Sequence, residues 1–330
     1  MTANAATPLV SVVTPFHNTG AYLGECIESV LCQTYANFEY ILVDNRSTDS
    51  SAAIARRYAL ADRRIRLIET TQLLSQVENY NFALRQISPD CAYVKVVEAD
   101  NWIFPDCLAS MVRLAEANPR VAIVSSYSAH ETRLAFQGLH ISRSVVPGRE
   151  VARVHLLGDA YWFGAPTTVL MRSGIVRSRD PFYSESEKIA EDLMVCYEAF
   201  LEFDFGFVHQ VLTFVRTEND SILSRRRGFP AMMLLDTLVL LERYGAEFLS
   251  SSEHRSAYRS AKWYYYQDVA LGALRGVSKD FWAFNRDVLQ SIGARLEYGL
   301  LAWHVLRHLM VMLLNPGRSI RALARRIRSN

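Results

Sequence analysis

Hydrophobic and polar positions in the first 130 residues alternate between two periods. Short apolar runs rich in Val and Ile predict strands, and apolar residues spaced three and four apart between them predict amphipathic helices. The predicted strands are Leu9–Thr14, Phe38–Asp44, Ile65–Glu69, Ala92–Val97 and Val121–Ser126. The predicted helices are Ala21–Thr34, Ser50–Ala61, Val77–Ile87 and Pro105–Ala117. This alternation predicts an α/β fold with a mainly parallel, Rossmann-like sheet flanked by helices.

The pattern changes after residue 130. It predicts a loop leading into a strand over Tyr161–Arg172, a helix over Ile189–Phe203 and strand structure over Phe205–Val215. From Phe229 onward the spacing is helical throughout.

We therefore expect two domains. The first covers 1–225, in two halves at 1–126 and 127–225. The second is a helical extension over 226–330 that ends in a basic tail.

Composition narrows the class of protein. The chain has 330 residues, 50% of them hydrophobic, and a formal net charge of +2, which excludes disordered and collagen-like classes and a general nucleic-acid binder. The five cysteines form no CxxC pair and are odd in number, so we expect core thiols in a reducing compartment. They are Cys26, Cys32, Cys91, Cys107 and Cys196.

The termini bear on location. The first residues lack the basic and apolar regions of a secretory signal, so we expect a cytoplasmic protein. The range 300–314 is hydrophobic around most of a helix, and 298–330 carries six arginines and no acid. Two interpretations of this end stay open. It lies on the anionic cytoplasmic face of a membrane, or it is a core-packing helix with a solvated tail.

Polar residues follow three of the predicted strands at their carboxyl ends, where ligands of parallel sheets bind. These segments are Pro15–Asn18, Asp44–Arg46 and Glu98–Asn101. They predict a ligand site at one edge of the sheet.

Glu98 and Asp100 form an acidic pair directly after a buried strand. Carboxylates are the hard ligands that Mg²⁺ and Mn²⁺ prefer, usually with substrate phosphates completing the coordination. The alternative is a solvated acidic turn.

Other polar residues also have two interpretations each. Asp44 ends a strand where it can accept a hydrogen bond from a base or a ribose, while Ser47 or Thr48 is expected to cap the next helix with Asp49 in its first turn. Arg216 contacts a phosphate or carboxylate, or makes a surface ion pair. Glu191-Asp192 is either a charged first turn or part of the chemistry.

Five ordered motifs over residues 8–220 resemble family 2 of the nucleotide-sugar glycosyltransferases, which has the GT-A fold. They are Val10–Asn18 (opening strand and PxxN turn), Tyr22–Thr34 (first helix ending in Gln-Thr), Ile41–Asp49 ("hhVDDGSTD"), Val96–Pro105 ("hhDxDDxhxP") and Glu191-Asp192 with Phe214–Arg216 (the ED motif and "YR" strand). GxGxxG, GxxxxGK[ST], HExxH and GxSxG are not in the sequence.

The resemblance implies a nucleotide-binding half at 1–126 and an acceptor-binding half at 127–225. It also implies roles for residues at matching positions. Nucleotide binding falls to Thr14, Pro15, Phe16, Asn18, Asp44, Arg46 and Asn81. Glu98 and Asp100 would hold a divalent cation, Mn²⁺ or Mg²⁺, and Asp192 would be the general base. Contacts to acceptor or phosphate fall to Glu191, Trp102 and Arg216.

This chain departs from the family pattern at several positions. Glu98 replaces the first Asp of DxD, Asn101 replaces a following Asp, and Arg46 and Ala83 stand at usual glycine positions. The QxxRW motif of processive synthases is not in the sequence, so the resemblance implies transfer of one sugar per acceptor.

The resemblance further implies an inverting reaction with a nucleoside diphosphate sugar, UDP-linked by preference and GDP- or dTDP-linked as alternatives. The acceptor would be a hydroxyl of a surface glycan or of a lipid-linked glycan precursor, as in polysaccharide biosynthesis. A non-catalytic nucleotide-sugar-binding protein of the same fold, in a membrane-associated assembly, is the alternative. A nucleotidyltransferase is a weaker one, because its glycine-rich phosphate loop is missing.

Overall fold

The structure is a computed structural model that describes residues 7–164, 166–186, 189–217 and 232–314. The chain divides into two compact units, residues 1–219 and 220–330. The predicted boundary between 225 and 226 falls in a range outside the described residues. The division of the first domain at 126 stays a prediction.

The first unit contains a mixed sheet. Its strands are β1 (Val10–Phe16), β2 (Phe38–Asp44), β3 (Ile65–Glu69), β4 (Tyr93–Val96), β5 (Trp102–Ile103), β6 (Val121–His130), β7 (Arg133–Ala135), β8 (Val145–Pro147), β9 (Leu170–Arg172) and β10 (Asp204–Phe214). The order is β3-β2-β1-β4-β9-β6-β10-β5, with β7 beside β6 and β8 beside β10. The neighbours in the series β3, β2, β1 and β4 pair in parallel, and so do β6 and β10. Strand β9 lies between β4 and β6 and runs antiparallel to both.

Helices flank this sheet and cover both of its faces. They are α1 (Leu23–Leu31), α2 (Ser51–Ala61), α3 (Gln76–Leu84), α4 (Cys107–Ala117), α5 (Gly148–Leu157), α6 (Ser173–Arg177) and α7 (Glu191–Phe200), with a 3₁₀ turn at Pro166–Thr168. All seven residues of β1 are buried, as expected of a central parallel strand covered on both sides. The predicted α/β fold with a mainly parallel sheet is confirmed.

The middle of the chain holds elements that periodicity did not predict. β5 is two residues long, too short to show a period, and β6 runs to His130 rather than ending at Ser126. Helix α5 begins with a glycine directly after a proline. It buries Val151, Ala152 and Leu156 and also contains charged residues. The strand structure predicted near 205–215 is the single strand β10.

Two local predictions were wrong. Helix α2 begins at Ser51, so Ser47 and Thr48 do not cap it; the Ser47 hydroxyl accepts the Asn18 N–H at 3.0 Å instead, and the Asp49 carboxylate accepts the Ser51 N–H at 2.9 Å. Cys32 is exposed beyond α1, whereas the other four cysteines are buried as predicted.

The second unit is helical over its described part. Its helices are α8 (Met232–Phe248), α9 (Ser251–Leu274), α10 (Lys279–Ser291) and α11 (Tyr298–Leu314). Ser250 begins α9 with a capping box, since its hydroxyl accepts the Glu253 N–H and the Glu253 carboxylate accepts the Ser250 N–H. None of the described helices is both long and apolar enough to cross a bilayer.

Helix α11 packs on α9 through one side and exposes the other. The Trp303 ring lies 5.1 Å from that of Trp263, and a His308 nitrogen lies 3.0 Å from the Gln267 carbonyl oxygen. His304 is fully buried, and neither ring nitrogen has a hydrogen-bond partner within the described part of the chain. Burial and the nearby charges of Arg307 and His308 lower the pKa of His304.

This buried imidazole predicts an acid-sensitive second unit. A His whose pKa is lowered on folding binds its proton more readily when unfolded, so stability is lost as the pH falls through about 6.5, by up to about 1.4 kcal/mol per pH unit. We expect urea unfolding, followed by tryptophan fluorescence, to show a smaller loss between pH 7.5 and 5.5 for His304→Leu than for the unmodified protein. The exposed His140→Gln serves as control, and an identical loss in all three proteins would contradict the prediction.

Candidate active site

The carboxyl ends of β2, β1 and β4 lie side by side, with β1 in the middle. Phe16 pairs with Asp44 across β1 and β2, and Val13 pairs with Val96 across β1 and β4. The segments that follow these strands therefore meet at one edge, as the polar residues after each strand predicted.

The turns after β1 and β2 are tied together. The Asn18 side-chain oxygen accepts the Thr48 N–H at 2.7 Å, the Asp44 carboxylate accepts the Ser47 N–H at 2.9 Å, and the Asn45 N–H donates to the Phe16 carbonyl at 2.8 Å. Asp44 is 4% exposed, and the bond from the Ser47 N–H holds its carboxylate in place. The two turns form one rigid rim.

Backbone conformation explains two residues in this rim. Asn18 has φ 52° and Arg46 has φ 61°, in the left-handed region that favours glycine and tolerates asparagine. This turn conformation explains why the family usually has glycine at the position of Arg46. Arg46 adopts the same turn and projects an exposed guanidinium at the rim.

The predicted nucleotide-binding residues Thr14, Pro15 and Phe16 are buried in β1. The Thr14 hydroxyl donates to the Val97 carbonyl at 2.7 Å, linking β1 to the strand beside it. Pro15 and Phe16 are also buried, at the end of β1.

Asn81 holds a distant loop. Its side-chain oxygen accepts the Tyr183 N–H at 2.8 Å, and its nitrogen donates to the Tyr183 carbonyl at 2.8 Å. The structure therefore connects Asn81, 1% exposed, to the segment that precedes α7.

The Glu98 carboxylate accepts three hydrogen bonds. One oxygen accepts from the Tyr80 hydroxyl at 3.1 Å, and the other accepts from the Asn101 side chain at 3.0 Å and the Thr167 hydroxyl at 3.1 Å. Sequence reasoning missed Tyr80 and Thr167. Tyr80 stands beside Asn81 in a segment already singled out, whereas nothing in the sequence pattern marks Thr167.

Negative charge is concentrated around Glu98. Burial first, and then the charges of Asp100 and Asp192, raise the pKa of Glu98 to about 7, although the hydrogen bonds from Thr167 and Tyr80 act in the opposite direction. The predicted metal ligand Asp100 and the predicted base Asp192 thus both raise the pKa of Glu98. Like charges of this kind are typical of functional sites.

Asp192 lies in the first turn of α7, where its carboxylate accepts the Leu193 N–H at 2.9 Å. Burial and the adjacent Glu191 charge raise the pKa of Asp192 to about 6. A carboxylate with a pKa close to neutrality is suited to general base catalysis.

Arg216 and Trp102 belong to a packed corner at the end of β10. Trp102 stacks on Phe214 with ring centroids 3.6 Å apart, and the Arg216 guanidinium lies 4.6 Å from the Tyr22 ring. The same guanidinium pairs with the Glu25 carboxylate at 2.9 Å. Of the two interpretations of Arg216, a phosphate or carboxylate contact and a surface ion pair, this structure shows an ion pair with the largely exposed Glu25.

The carboxylates of Glu98 and Asp100 suit a divalent cation that is bound together with substrate. No cluster of three or more His, Cys, Asp or Glu side chains within the described ranges forms a complete metal site. Glu98 and Asp100 supply two carboxylates whose mutual repulsion a cation would relieve. Mg²⁺ and Mn²⁺ are commonly held by one or two carboxylates together with substrate phosphates, so these residues fit.

Solved structures share this fold. TarS residues 1–349 from S. aureus in complex with UDP-GlcNAc superimposes with a TM-score of 0.64, covering 87% of this chain and 82% of that chain at 15% identity. The mannosyltransferase PcManGT from Pyrobaculum calidifontis in complex with GDP-Man and Mn²⁺ gives a TM-score of 0.55, covering 96% and 83% at 16% identity. The fold is that of GT-A transferases.

Sequence relatives carry glycosyltransferase names. EpsE of Bacillus subtilis is 28% identical over 225 residues, 67% of this chain and 77% of that protein. Glycosyltransferase GlyG of Streptococcus pneumoniae is 30% identical over 119 residues, which span 36% of this chain and 39% of GlyG. The family described as Glycosyl transferase family 2 matches residues 11–179. The chain therefore belongs to glycosyltransferase family 2.

Proposed function

We propose that the protein is an inverting, metal-dependent, non-processive glycosyltransferase that moves one sugar from a nucleoside diphosphate sugar to a hydroxyl group. The observation that carries the proposal is the acidic pair Glu98 and Asp100 directly after β4, which lies beside β1, with the charge of Asp192 near enough to raise the pKa of Glu98. Family membership alone does not specify these roles. In this proposal Glu98 and Asp100 provide the cation site and Asp192 is the base.

The reaction divides between two groups of residues. Asp192 accepts the proton of the acceptor hydroxyl, whose oxygen attacks the anomeric carbon as the bond to the leaving phosphate breaks. Glu98 and Asp100 would hold Mn²⁺ or Mg²⁺, which neutralises the negative charge that develops on the leaving diphosphate. Direct attack by the acceptor inverts the anomeric centre and requires no enzyme nucleophile.

On the donor side, Asp44 and Asn18, whose side chains belong to the rim, would contact the nucleoside, and the exposed Arg46 would meet its phosphates. A UDP-sugar is the favoured donor, with GDP- or dTDP-sugars as alternatives. Structural neighbours bind UDP-GlcNAc and GDP-Man, which supports a nucleotide sugar in general. Glu191, Trp102 and Arg216 remain proposed contacts to acceptor or phosphate.

The full chain tests the proposal directly. Incubation with UDP-, GDP- and dTDP-sugars, Mn²⁺ and glycan or lipid-linked acceptors should release nucleoside diphosphate only when donor and acceptor match. Saturable donor binding without turnover on any acceptor would support the alternative, a non-catalytic binding protein. That alternative rests on the substitutions at Glu98 and Asn101, where both Glu98 oxygens already accept bonds from protein donors.

We extend the proposal to an anionic lipid surface as the partner of α11, on the cytoplasmic face of a membrane. Leu306, Met310 and Leu313 follow one side of this helix and are 63%, 60% and 80% exposed. The six arginines and no acid in 298–330 complement anionic lipid headgroups. The basic tail from 315 onward lies outside the described residues. A lipid-linked acceptor would be found at such a surface.

Replacing Leu306, Met310 and Leu313 by serine together should weaken binding to phosphatidylglycerol vesicles by at least about tenfold, because each removed side chain costs about 1 kcal/mol or more of burial. Vesicle sedimentation measures the effect, with pure phosphatidylcholine vesicles for comparison. Leu60→Ser is the matched control, since Leu60 is 90% exposed in α2. Equal binding of the triple variant and the control would argue against this surface.

A further inference from the structure

Lys95 is a buried lysine beside the proposed cation site. It lies in β4 and is fully buried. Its ammonium group donates to the carbonyl oxygens of Thr167 at 2.6 Å and Val169 at 3.2 Å, and it lies 3.9 Å from the Met111 sulfur. These partners are all uncharged, which is unusual because a buried charge normally has a charged partner.

The two carbonyls belong to the segment that contains Thr167, whose hydroxyl contacts Glu98. Strand β9 pairs with β4 at Met171 and Arg172, opposite Val94 and Tyr93, while Leu170 pairs with Val124 of β6. Residues 167 and 169 thus precede the part of β9 that pairs with β4. The Lys95 side chain joins them to β4 by donating to both carbonyls.

The far side of this segment contacts the site. The Thr167 hydroxyl donates to the Glu98 carboxylate at 3.1 Å, accepts the Glu98 backbone N–H at 3.0 Å and lies 3.1 Å from the Asn101 side-chain nitrogen. Thr167 is therefore held at its carbonyl by Lys95 and at its hydroxyl by the acidic loop. Lys95 lies in β4 and Glu98 lies two residues after it, so the two groups that hold Thr167 are close in the chain.

We propose that Lys95 is a positioning residue, which fixes the Thr167 hydroxyl against Glu98 through the carbonyls of residues 167 and 169 and so orients the carboxylate toward the cation. The inference rests on the proposed function, because it assumes that Glu98 serves a metal. Charge-assisted bonds from an ammonium to two carbonyls are stronger than neutral ones, and they hold the turn more rigidly than packing would. Groups that orient metal-binding carboxylates in this way commonly change metal affinity when they are removed.

Direct Mn²⁺ binding to the full chain in the presence of UDP, measured by calorimetry without turnover, tests the inference. Thr167→Val keeps the shape but removes the hydroxyl, and we expect Mn²⁺ affinity to fall about ten- to a hundredfold. Thr167→Ser should restore most of it. Lys95→Met should cause a loss of similar size, and Lys95→Arg a smaller one.

The double variant separates positioning from general destabilisation. If Lys95 acts through Thr167, then Lys95→Met combined with Thr167→Val should bind Mn²⁺ about as weakly as either single variant. Multiplied losses, or a loss of thermal stability with unchanged Mn²⁺ affinity, would overturn the inference. If Lys95→Met does not fold, Thr167→Val decides the matter by itself, since unchanged affinity would overturn it.

Lys262→Met is the control for removing a lysine, because Lys262 pairs with Glu297 on the second unit. We expect this variant to bind Mn²⁺ like the unmodified protein. If the unmodified protein binds no Mn²⁺ with UDP, both the metal role and the inference fail. If it binds Mn²⁺ and the Thr167 and Lys95 variants bind it equally well, the inference fails and the proposed function stands.

Discussion

Asp192→Asn should lower kcat for sugar transfer by about 10²- to 10⁴-fold, because the amide cannot accept the acceptor proton. The substitution keeps the size of the side chain and the oxygen that accepts the Leu193 N–H, so α7 should keep its first turn. Affinity for the nucleotide sugar should stay within about twofold, since Asp192 acts on the acceptor. Steady-state kinetics with the identified donor and acceptor, together with donor titration, measure both quantities.

Two further measurements make this result specific. Because Asp192 works in its ionised form and its pKa is raised to about 6, activity should fall as the pH drops through about 6. Glu198→Gln, on the same helix, removes a carboxylate that pairs with Arg179 and should leave kcat nearly unchanged. Retained turnover in Asp192→Asn would reject Asp192 as the base, whatever the donor proves to be.

Removal of divalent cation should have the second large effect. EDTA is expected to stop transfer, and added Mn²⁺ or Mg²⁺ to restore it. Asp100→Asn should lower kcat by on the order of 10²- to 10³-fold, or about 3–4 kcal/mol of transition-state stabilisation. The reason is that an amide oxygen binds a hard cation much more weakly than a carboxylate does.

The matched control is Asp90→Asn, which removes a carboxylate from an exposed turn before β4. Its activity and its response to EDTA should match those of the unmodified protein. Full activity in EDTA, or an unchanged rate in Asp100→Asn, would show that Glu98 and Asp100 serve some purpose other than holding a metal.

Much of the fold of residues 1–126 could be predicted from the sequence because its signals are local. A β-branched run such as Val10–Phe16, with polar residues directly after it, indicates both a buried strand and the edge where ligands bind. The parallel pairing of β1, β2 and β4 then places Asp44 and Glu98 on either side of one strand. These steps need no knowledge of distant contacts.

The remainder of the site depends on contacts that no local pattern encodes. Thr167 reaches Glu98 from 69 residues further along the chain, and Asn81 contacts Tyr183 from 102 residues away. Arg216 was predicted to contact a phosphate or carboxylate or to make a surface ion pair, and the sequence did not indicate that Glu25, 191 residues earlier, would be its partner. Such pairings depend on how distant segments pack in the folded protein, and the local sequence pattern does not show this.

The placement of β9 between β4 and β6 has a consequence for the protein during its synthesis. Strands β1 to β4 leave the ribosome with an open edge, because the strand that covers β4 lies near Val169, 74 residues after Lys95. At about 5–20 residues per second, that edge waits roughly 4–15 s for its neighbour. An exposed strand edge can pair with other chains. The nascent protein therefore exposes a second strand edge to unwanted pairing during this interval.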